Sequence, residues 1–185
     1  MISSFDLKIL KDLGDAKLIS NIVASDFNSE NEFYDWWNDL AKSNHSIRTE
    51  NLLNNCEGFE LERKDHGIPK IKSSDDKSLF FGYGMVLAHD RLFQLDYLRR
   101  KAIGSLSEVM GEKTLDIDLV AKTIDFVSIA KKEYSTMPSW SKELLNSFTD
   151  GINHYIDKNR DLLPLEFSIL DYKPDKWKAI DSLAI

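Results

Sequence analysis

The chain has 185 residues, of which 42% are hydrophobic and 30% charged, and its formal net charge is −7. This is the composition of a globular protein, and the acidic balance argues against a nucleic-acid partner, because phosphate binding requires a basic surface. A single cysteine, Cys56, excludes an internal disulfide framework and a cysteine-based zinc site, and no segment approaches the roughly 18 apolar residues of a membrane span.

Residues 1–58 predict a helical N-terminal extension of unknown role. Within residues 1–50, apolar side chains recur every three or four positions, which indicates two or three short amphipathic helices. They are Ile9, Leu10, Leu13 and Ala16 in one group and Phe33, Trp36, Trp37 and Leu40 in another. A polar link follows, with the sequence KSNHSIRTENLLNNCEG. Because the N-terminal segment has no apolar run of signal-peptide length and no small-residue cleavage site, we expect a cytoplasmic protein.

The pattern changes to a period of two after the link. Phe59, Leu61 and Arg63 alternate with glutamates, which is typical of a half-buried strand. The sequence KDHG predicts a turn in which Gly67 takes a positive φ. Pro69 then places the following short strand at a sheet edge or a bulge.

The stretch FFGYGMVLAHDRLFQLDYLRR dominates the next predicted helix. Ser73 or Ser74 is the expected N-cap, with Asp75 and Asp76 in the first turn. Apolar residues recur along one face and cover much of the rest, so we expect a buried helix that ends or bends at Gly104. The face comprises Met85, Ala88, Leu92, Leu95, Leu98, Ala102 and Leu106. A turn is expected at Gly111.

Several charged residues interrupt this apolar helix. Asp96 and Arg100 have the i, i+4 spacing that favours an ion pair, and Asp90 has the same spacing to Gln94. We therefore interpret Asp90, Arg91, Arg99 and Arg100 as polar anchors of a buried helix in preference to catalytic groups, since buried charges are tolerated when paired. The triplet Gly82-Tyr83-Gly84 allows either a close backbone approach or a loosely wound helix start.

The remaining sequence predicts further helices. Val120, Ile124, Val127, Ala130 and Tyr134 mark one helix that stops before Pro138. The next has Leu145, Phe148, Ile152 and Tyr155 facing inward, and the tail is irregular around Pro164 and Pro174 before a final helical turn. Trp140 and Trp177 each follow a proline and are expected to close a turn onto the core. The predicted fold class is α+β: a predominantly helical chain with one small strand pair.

Motifs for common chemistries fail on spacing. Six residues separate Gly104 from Gly111 where a phosphate loop needs four, and Glu112 replaces its lysine. A calcium loop opening with Asp157, Asn159 and Asp161 has Leu162 in place of its glycine and Ser168 in place of its glutamate. His45, His66, His89 and His154 are too dispersed for zinc, and nothing marks a nucleophilic serine. Cys56, in the polar link, is interpreted as an unreactive free thiol.

Four separated motifs nevertheless resemble one family. In order, they are DHGIPKI, then FGYGMVLAHDRLFQLDYLRRKAIGSLSEVMG, then FTDGINHYI, then LPLEFSILDYKPDKW with Asp181 after it. They resemble the α-chain, or N-terminal part, of the penicillin acylase family of N-terminal-nucleophile amide hydrolases. The resemblance covers residues 59–185 and departs from the usual pattern at Lys70 and at His89.

The resemblance implies a specific activity. Family members are made as a precursor that cuts itself into an α-chain and a β-chain, and the first residue of the β-chain is a serine that serves as nucleophile with its own amino group as base. The implied fold is the α-chain portion of an αββα core. The implied substrates are amides such as penicillins, other β-lactams and acylated homoserine lactones.

The same resemblance implies that this chain has no catalytic, cofactor-binding or metal-binding residues of its own. In relatives, the segment beyond the Trp177 and Asp181 motif lines the acyl pocket and supplies a calcium carboxylate, so calcium is expected only in the complete enzyme. Met1 precedes the bulky Ile2, and Ser3 and Ser4 are internal, so the chain's own start does not provide the nucleophile. We expect a β-chain partner, no nucleic acid and no membrane. The alternatives are a non-catalytic helical interaction module and an independent hydrolase using Cys56 or an internal serine.

Overall fold

The computed structural model describes residues 2–52, 58–63 and 65–185, and the side chains of all of these except 44–52 and 65. Within them the chain forms ten α-helices and one antiparallel strand pair, which confirms the predicted predominantly helical α+β class. None of the described helices has the length and apolar character needed to cross a bilayer. The chain divides into two compact units, Met1–Asn51 with Asp161–Lys173, and Leu52–Arg160 with Pro174–Ile185.

The first unit contains four helices. They are α1 (Ser4–Gly14), α2 (Ile19–Asp26), α3 (Glu30–Leu52) and the short α9 (Leu165–Ile169). Ile9, Ile22 and Phe33 form its buried cluster, and Phe27 and Trp36 pack against them. A Cβ on Gly14 would lie 2.1 Å from the carbonyl oxygen of Ile169, so α1 and α9 approach closely through this glycine.

Two expectations for the first unit are wrong. Ala16 lies beyond the end of α1 with φ 58°, because the amides of Ala16 and Lys17 bond back to the carbonyls of Leu13 and Asp12 and close a Schellman-type C-terminal turn. The third helix is also longer than expected, since α3 continues to Leu52 through most of the predicted polar link.

The second unit begins with a hairpin of β1 (Phe59–Arg63) and β2 (Pro69–Ser73), paired in register from Phe59 with Ser73 to Arg63 with Pro69. The burial of β1 alternates as predicted, with Phe59 buried and the two glutamates exposed. Gly67 takes φ 73° in the turn, which confirms the KDHG prediction. Pro69 begins β2, in agreement with its expected edge position.

Helix α4 (Asp76–Ile103) is the longest element of this unit and packs against α8 (Ser139–Lys158). A Cβ on Gly84 would lie 2.0 Å from the carbonyl oxygen of Phe148, and one on Gly151 would lie 2.0 Å from that of Phe81. Gly84, the second glycine of the Gly82-Tyr83-Gly84 triplet, therefore permits the close approach of the α4 and α8 backbones. Gly104 ends α4 in the left-handed region, with φ 70°, as expected.

The N-cap prediction for α4 is wrong by one or two residues. Asp75 is the cap, because its carboxylate accepts a hydrogen bond of 2.9 Å from the Ser78 amide. Ser73 serves the hairpin instead, since its hydroxyl donates to the carbonyl of Gly58 at 2.7 Å.

The predicted single helix before Pro138 is two helices, α6 (Leu115–Ile124) and α7 (Phe126–Thr136), preceded by the short α5 (Ser107–Met110). Asp125 separates them: it ends α6 in the left-handed region with φ 57°, and its carboxylate caps α7 by accepting from the Ser128 amide. Val120 and Ile124, two of the residues whose spacing predicted the single helix, are exposed.

The tail of the second unit ends in α10 (Ala179–Ala184), which packs against α7, α4 and α8. Trp177, just before it, is buried as predicted. Trp140 is not: it is 67% exposed at the start of α8 and closes no turn onto the core.

Candidate functional site

Three charged residues of α4 form a buried cluster. Asp96 is 1% exposed, and Arg99 and Arg100 are 4% and 7% exposed. Both guanidinium groups donate to the Asp96 carboxylate, Arg99 one turn away and Arg100 through Nε at 2.9 Å from Oδ2. The predicted Asp96–Arg100 pair is confirmed, and Arg99 joins it. A carboxylate held between two guanidiniums keeps all three buried charges paired.

Arg99 also connects α4 to the segment before α10. Its Nη1 donates to the carbonyl oxygens of Asp175 at 3.2 Å and Lys176 at 3.3 Å, and lies 3.6 Å from Oδ2 of Asp181. Its guanidinium lies 5.1 Å from the centre of the Trp177 ring, which is within cation–π range. One side chain thus fixes both residues of the Trp177 and Asp181 motif against the helix.

The segment around Trp177 is held from the other side by α8. The Asn153 amide side chain donates to the carbonyl of Trp177 at 2.9 Å and accepts from its backbone amide at 2.7 Å, the pairing a strand neighbour would make. The indole of Trp177 donates to the Ser182 hydroxyl at 2.8 Å, and Asp181 accepts from the Lys178 amide at 2.9 Å. The irregular backbone before α10 is therefore satisfied by side chains.

A second polar anchor joins the hairpin to α4. Arg63 makes a bidentate contact with the Asp90 carboxylate at 2.7 and 3.1 Å, and Nδ1 of His89 lies 2.6 Å from the same carboxylate. Burial raises the pKa of Asp90, but the hydrogen bonds from His89 and Arg63 outweigh it and lower that pKa to about 2. Asp90 therefore pairs with Arg63 and not with Gln94, which accepts from Arg91.

Asp118 forms a third anchor, which the sequence analysis missed. This buried carboxylate accepts from the amides of Leu106 and Ser107, both at 2.8 Å, and from the Ser107 hydroxyl at 2.5 Å. Burial raises its pKa, but the hydrogen bonds from Ser107 and Leu106 hold that pKa below the usual range. It ties α6 to the start of α5, and the sequence carries no signal that distinguishes Asp118 from the nearby Asp116.

Two residues of the rejected calcium-loop motif make contacts within the chain. Asn159 is buried and donates to the Tyr155 carbonyl at 2.9 Å, while Asp157 pairs with Lys176 at 2.9 Å. In the part of the chain that the structure describes, no group of three His, Cys, Asp or Glu side chains is arranged to hold a metal ion. Cys56 and the side chain of His45 lie outside the described residues.

These contacts support the structural interpretation of Asp90, Arg99 and Arg100, whose polar atoms bind other elements of the chain. Arg91 differs: it is exposed and lies at a kink in α4, with φ −141° and ψ 23°. The buried polar cluster of Asp96, Arg99 and Arg100 therefore joins α4 to α5 and to the segment before α10.

Comparison with known proteins relates this chain to one family of enzymes. Residues 59–185 match the family model of penicillin amidase. The chain is 30% identical to penicillin G acylase of Escherichia coli over 66% of its own length and 15% of that protein, and 32% identical to an acyl-homoserine lactone acylase, QuiP, of Pseudomonas syringae over 70% and 16%. It is 28% identical to the penicillin acylase 2 proenzyme of a Pseudomonas species over 68% and 16%.

A solved structure agrees with the sequence matches. The fold aligns with a thermostable penicillin G acylase from Alcaligenes faecalis with a TM-score of 0.63, at 24% identity, over 69% of each chain. The chain spans about one sixth of the length of the curated relatives, at 15–16%. All three anchors lie within the matched residues, and the predicted resemblance is confirmed: this chain belongs to the penicillin amidase family.

Proposed function

We propose that this chain forms the N-terminal, α-chain portion of an amide hydrolase that cleaves linear C–N amide bonds. The nucleophile in this proposal is the N-terminal serine of a separate β-chain cut from the same precursor, with its freed amino group as base. The chain itself supplies scaffold and part of the cleft wall, and alone it has no hydrolytic activity.

The observation that carries the proposal is the anchoring of family motifs by one another. Arg99, within the long central motif, binds Trp177 and Asp181 of the last motif, and Asn153 of the third motif pairs with the backbone of Trp177. Three motifs far apart in sequence thus form one buried structure. The relatives named above act on penicillins and acyl-homoserine lactones according to their names, and we propose an acyl amide of one of these classes as substrate.

The test is reconstitution. The chain is co-expressed with the rest of the family polypeptide encoded in the same genome, and the complex is assayed with a phenylacetyl amide and with an N-acyl homoserine lactone. We expect a stable complex with amidase activity that disappears when the N-terminal serine of the partner is changed to alanine. A failure to form a complex, together with no amidase activity, contradicts the proposal.

The alternative of a free-standing interaction module predicts a monomer with little exposed apolar surface. Val120, Ile124 and Ile129 are instead 59%, 48% and 55% exposed on α6 and α7, which favours the fragment of a larger assembly. The alternative of a hydrolase using Cys56 is tested by Cys56→Ala, which we expect to leave the activity of the reconstituted complex unchanged.

A further inference from the structure

An open apolar groove lies beside the C-terminal end of α4, within the second unit. It has a volume of about 530 Å³ and is bounded by α4, α6, the start of α7 and the end of α10. We call it the α6 groove. The side chains that matter for its character are Leu98, Ala102, Ile117, Val120, Ala121 and Phe126. Lys101 and Asp116 also line it, so its few polar groups carry opposite charges.

Helix α6 forms one wall of this groove. It has the apolar spacing of a buried helix face, although most of that face is exposed. Ile117, Val120, Ala121 and Ile124 follow the i, i+3, i+4, i+7 spacing that normally faces a core. Of these, Ala121 is 4% exposed, but Val120 is 59% and Ile124 is 48% exposed. The sequence therefore predicts a covered face, and the described residues cover only one edge of it.

Further exposed apolar side chains line the groove. Phe126 is 36% exposed where α7 begins, and Ile117 has the same exposure on α6. Soluble monomers rarely leave several large apolar side chains together in a concave surface, because the water in contact with them is released when a partner binds. A groove of this kind suits the apolar face of a helix, whose side chains at i, i+3 and i+4 fill such a depression.

We propose that the α6 groove binds an apolar helical segment of the remaining family polypeptide, so that this surface holds the α-chain to its partner. The inference rests on the proposed function. It is supported by the position of the whole groove within the residues that match the family model, 59–185, and by the length of the relatives, of which this chain spans 15–16%. A further 84–85% of family polypeptide, from the same two comparisons, is thus available to cover the face.

The experiment compares two aspartate substitutions on one helix. Val120→Asp places a charge in the groove, whereas Leu119→Asp makes the same kind of change at a neighbouring position that is 56% exposed and does not line the groove. Both sites are exposed, so both variants should fold, which circular dichroism checks. The probe is the remaining family polypeptide encoded in the same genome, bound to the full chain and measured by biolayer interferometry.

We expect Val120→Asp to weaken binding at least about tenfold, because a desolvated charge opposes burial, and Leu119→Asp to change it less than about threefold. Equal binding by wild type and Val120→Asp overturns the inference and leaves the proposed function intact. Absence of binding by the wild-type chain overturns both. Self-association of the chain that Val120→Asp abolishes, with partner binding unchanged, would assign the groove to a second copy and also overturn the inference.

Discussion

Replacing Asp96 by alanine tests whether the buried charge cluster of α4 stabilises the fold. The change removes the carboxylate that both Arg99 and Arg100 contact and leaves two guanidiniums buried without it. Removing one partner of a buried ion pair costs about 3–5 kcal/mol. Arg99 retains the carbonyls of Asp175 and Lys176, and Arg100 retains Glu108, so we expect the lower end, about 3 kcal/mol.

The matched control is Asp157→Ala. Asp157 also loses an ion pair, to Lys176 at 2.9 Å, but its side chain is 46% exposed and that of Lys176 is 64% exposed. Such a pair contributes little to stability because water screens it, so this variant should have the same Tm as the wild type. Asp96→Asn, which keeps an oxygen acceptor while losing the charge, should fall between the two.

The assay is thermal unfolding followed by circular dichroism, with hydrogen exchange of the peptides covering α4 and residues 174–185. For a domain of this size about 3 kcal/mol corresponds to a fall in Tm of roughly 6–12 °C. We also expect faster exchange around Trp177, because Arg99 loses the group that orients it. Equal Tm values for Asp96→Ala and Asp157→Ala would refute the argument, since burial would then make no difference.

Three further variants test other contacts. Gly84→Ala should destabilise by about 1–3 kcal/mol in urea unfolding, because its Cβ would meet the Phe148 carbonyl at 2.0 Å. Gly67→Ala, with nothing within 4 Å, should show only the roughly 1 kcal/mol cost of its positive φ. Asp90 has a lowered pKa, so the stability that it contributes is present above pH 3.8 and is lost as the pH falls toward about 2. Asp90→Asn should therefore lower the free energy of unfolding by up to about 2 kcal/mol at pH 6 and flatten its dependence on pH between pH 5 and 2. An unchanged pH dependence contradicts this. Asp118→Ala should speed hydrogen exchange at the Leu106 and Ser107 amides, which lose their acceptor, and Asp116→Ala, on the exposed side of the same helix, should not.

The local predictions that succeeded depend on interactions close in sequence. The alternation of β1, the turn at Gly67, the end of α4 at Gly104 and the Asp96–Arg100 pair each depend on neighbours within a few residues. Such patterns are visible in any window that contains them.

The anchors that the sequence analysis missed join residues far apart in the chain. Arg63 and Asp90 are 27 positions apart, and Arg99 and the Asp175 carbonyl are 76 apart. No periodicity relates such residues. Asp90 had a neighbour at i+4 that matched the helical rule, yet a bidentate guanidinium is a stronger partner than a glutamine amide. The split at Asp125 was missed because an aspartate in the left-handed region has no distinctive sequence signal.

The exposure of Val120 and Ile124 on α6 bears on function. Their spacing with Ile117 and Ala121 is that of a covered helix face, and the structure leaves most of that face open. A pattern of this kind is typical of a helix face that other residues cover, and it agrees with the association proposed above. The charges of Asp96, Arg99 and Arg100 show the converse, since the partners described for them lie within the chain. The chain therefore pairs these buried charges internally and leaves an apolar face of α6 open, which is the arrangement that the proposed association with a β-chain predicts.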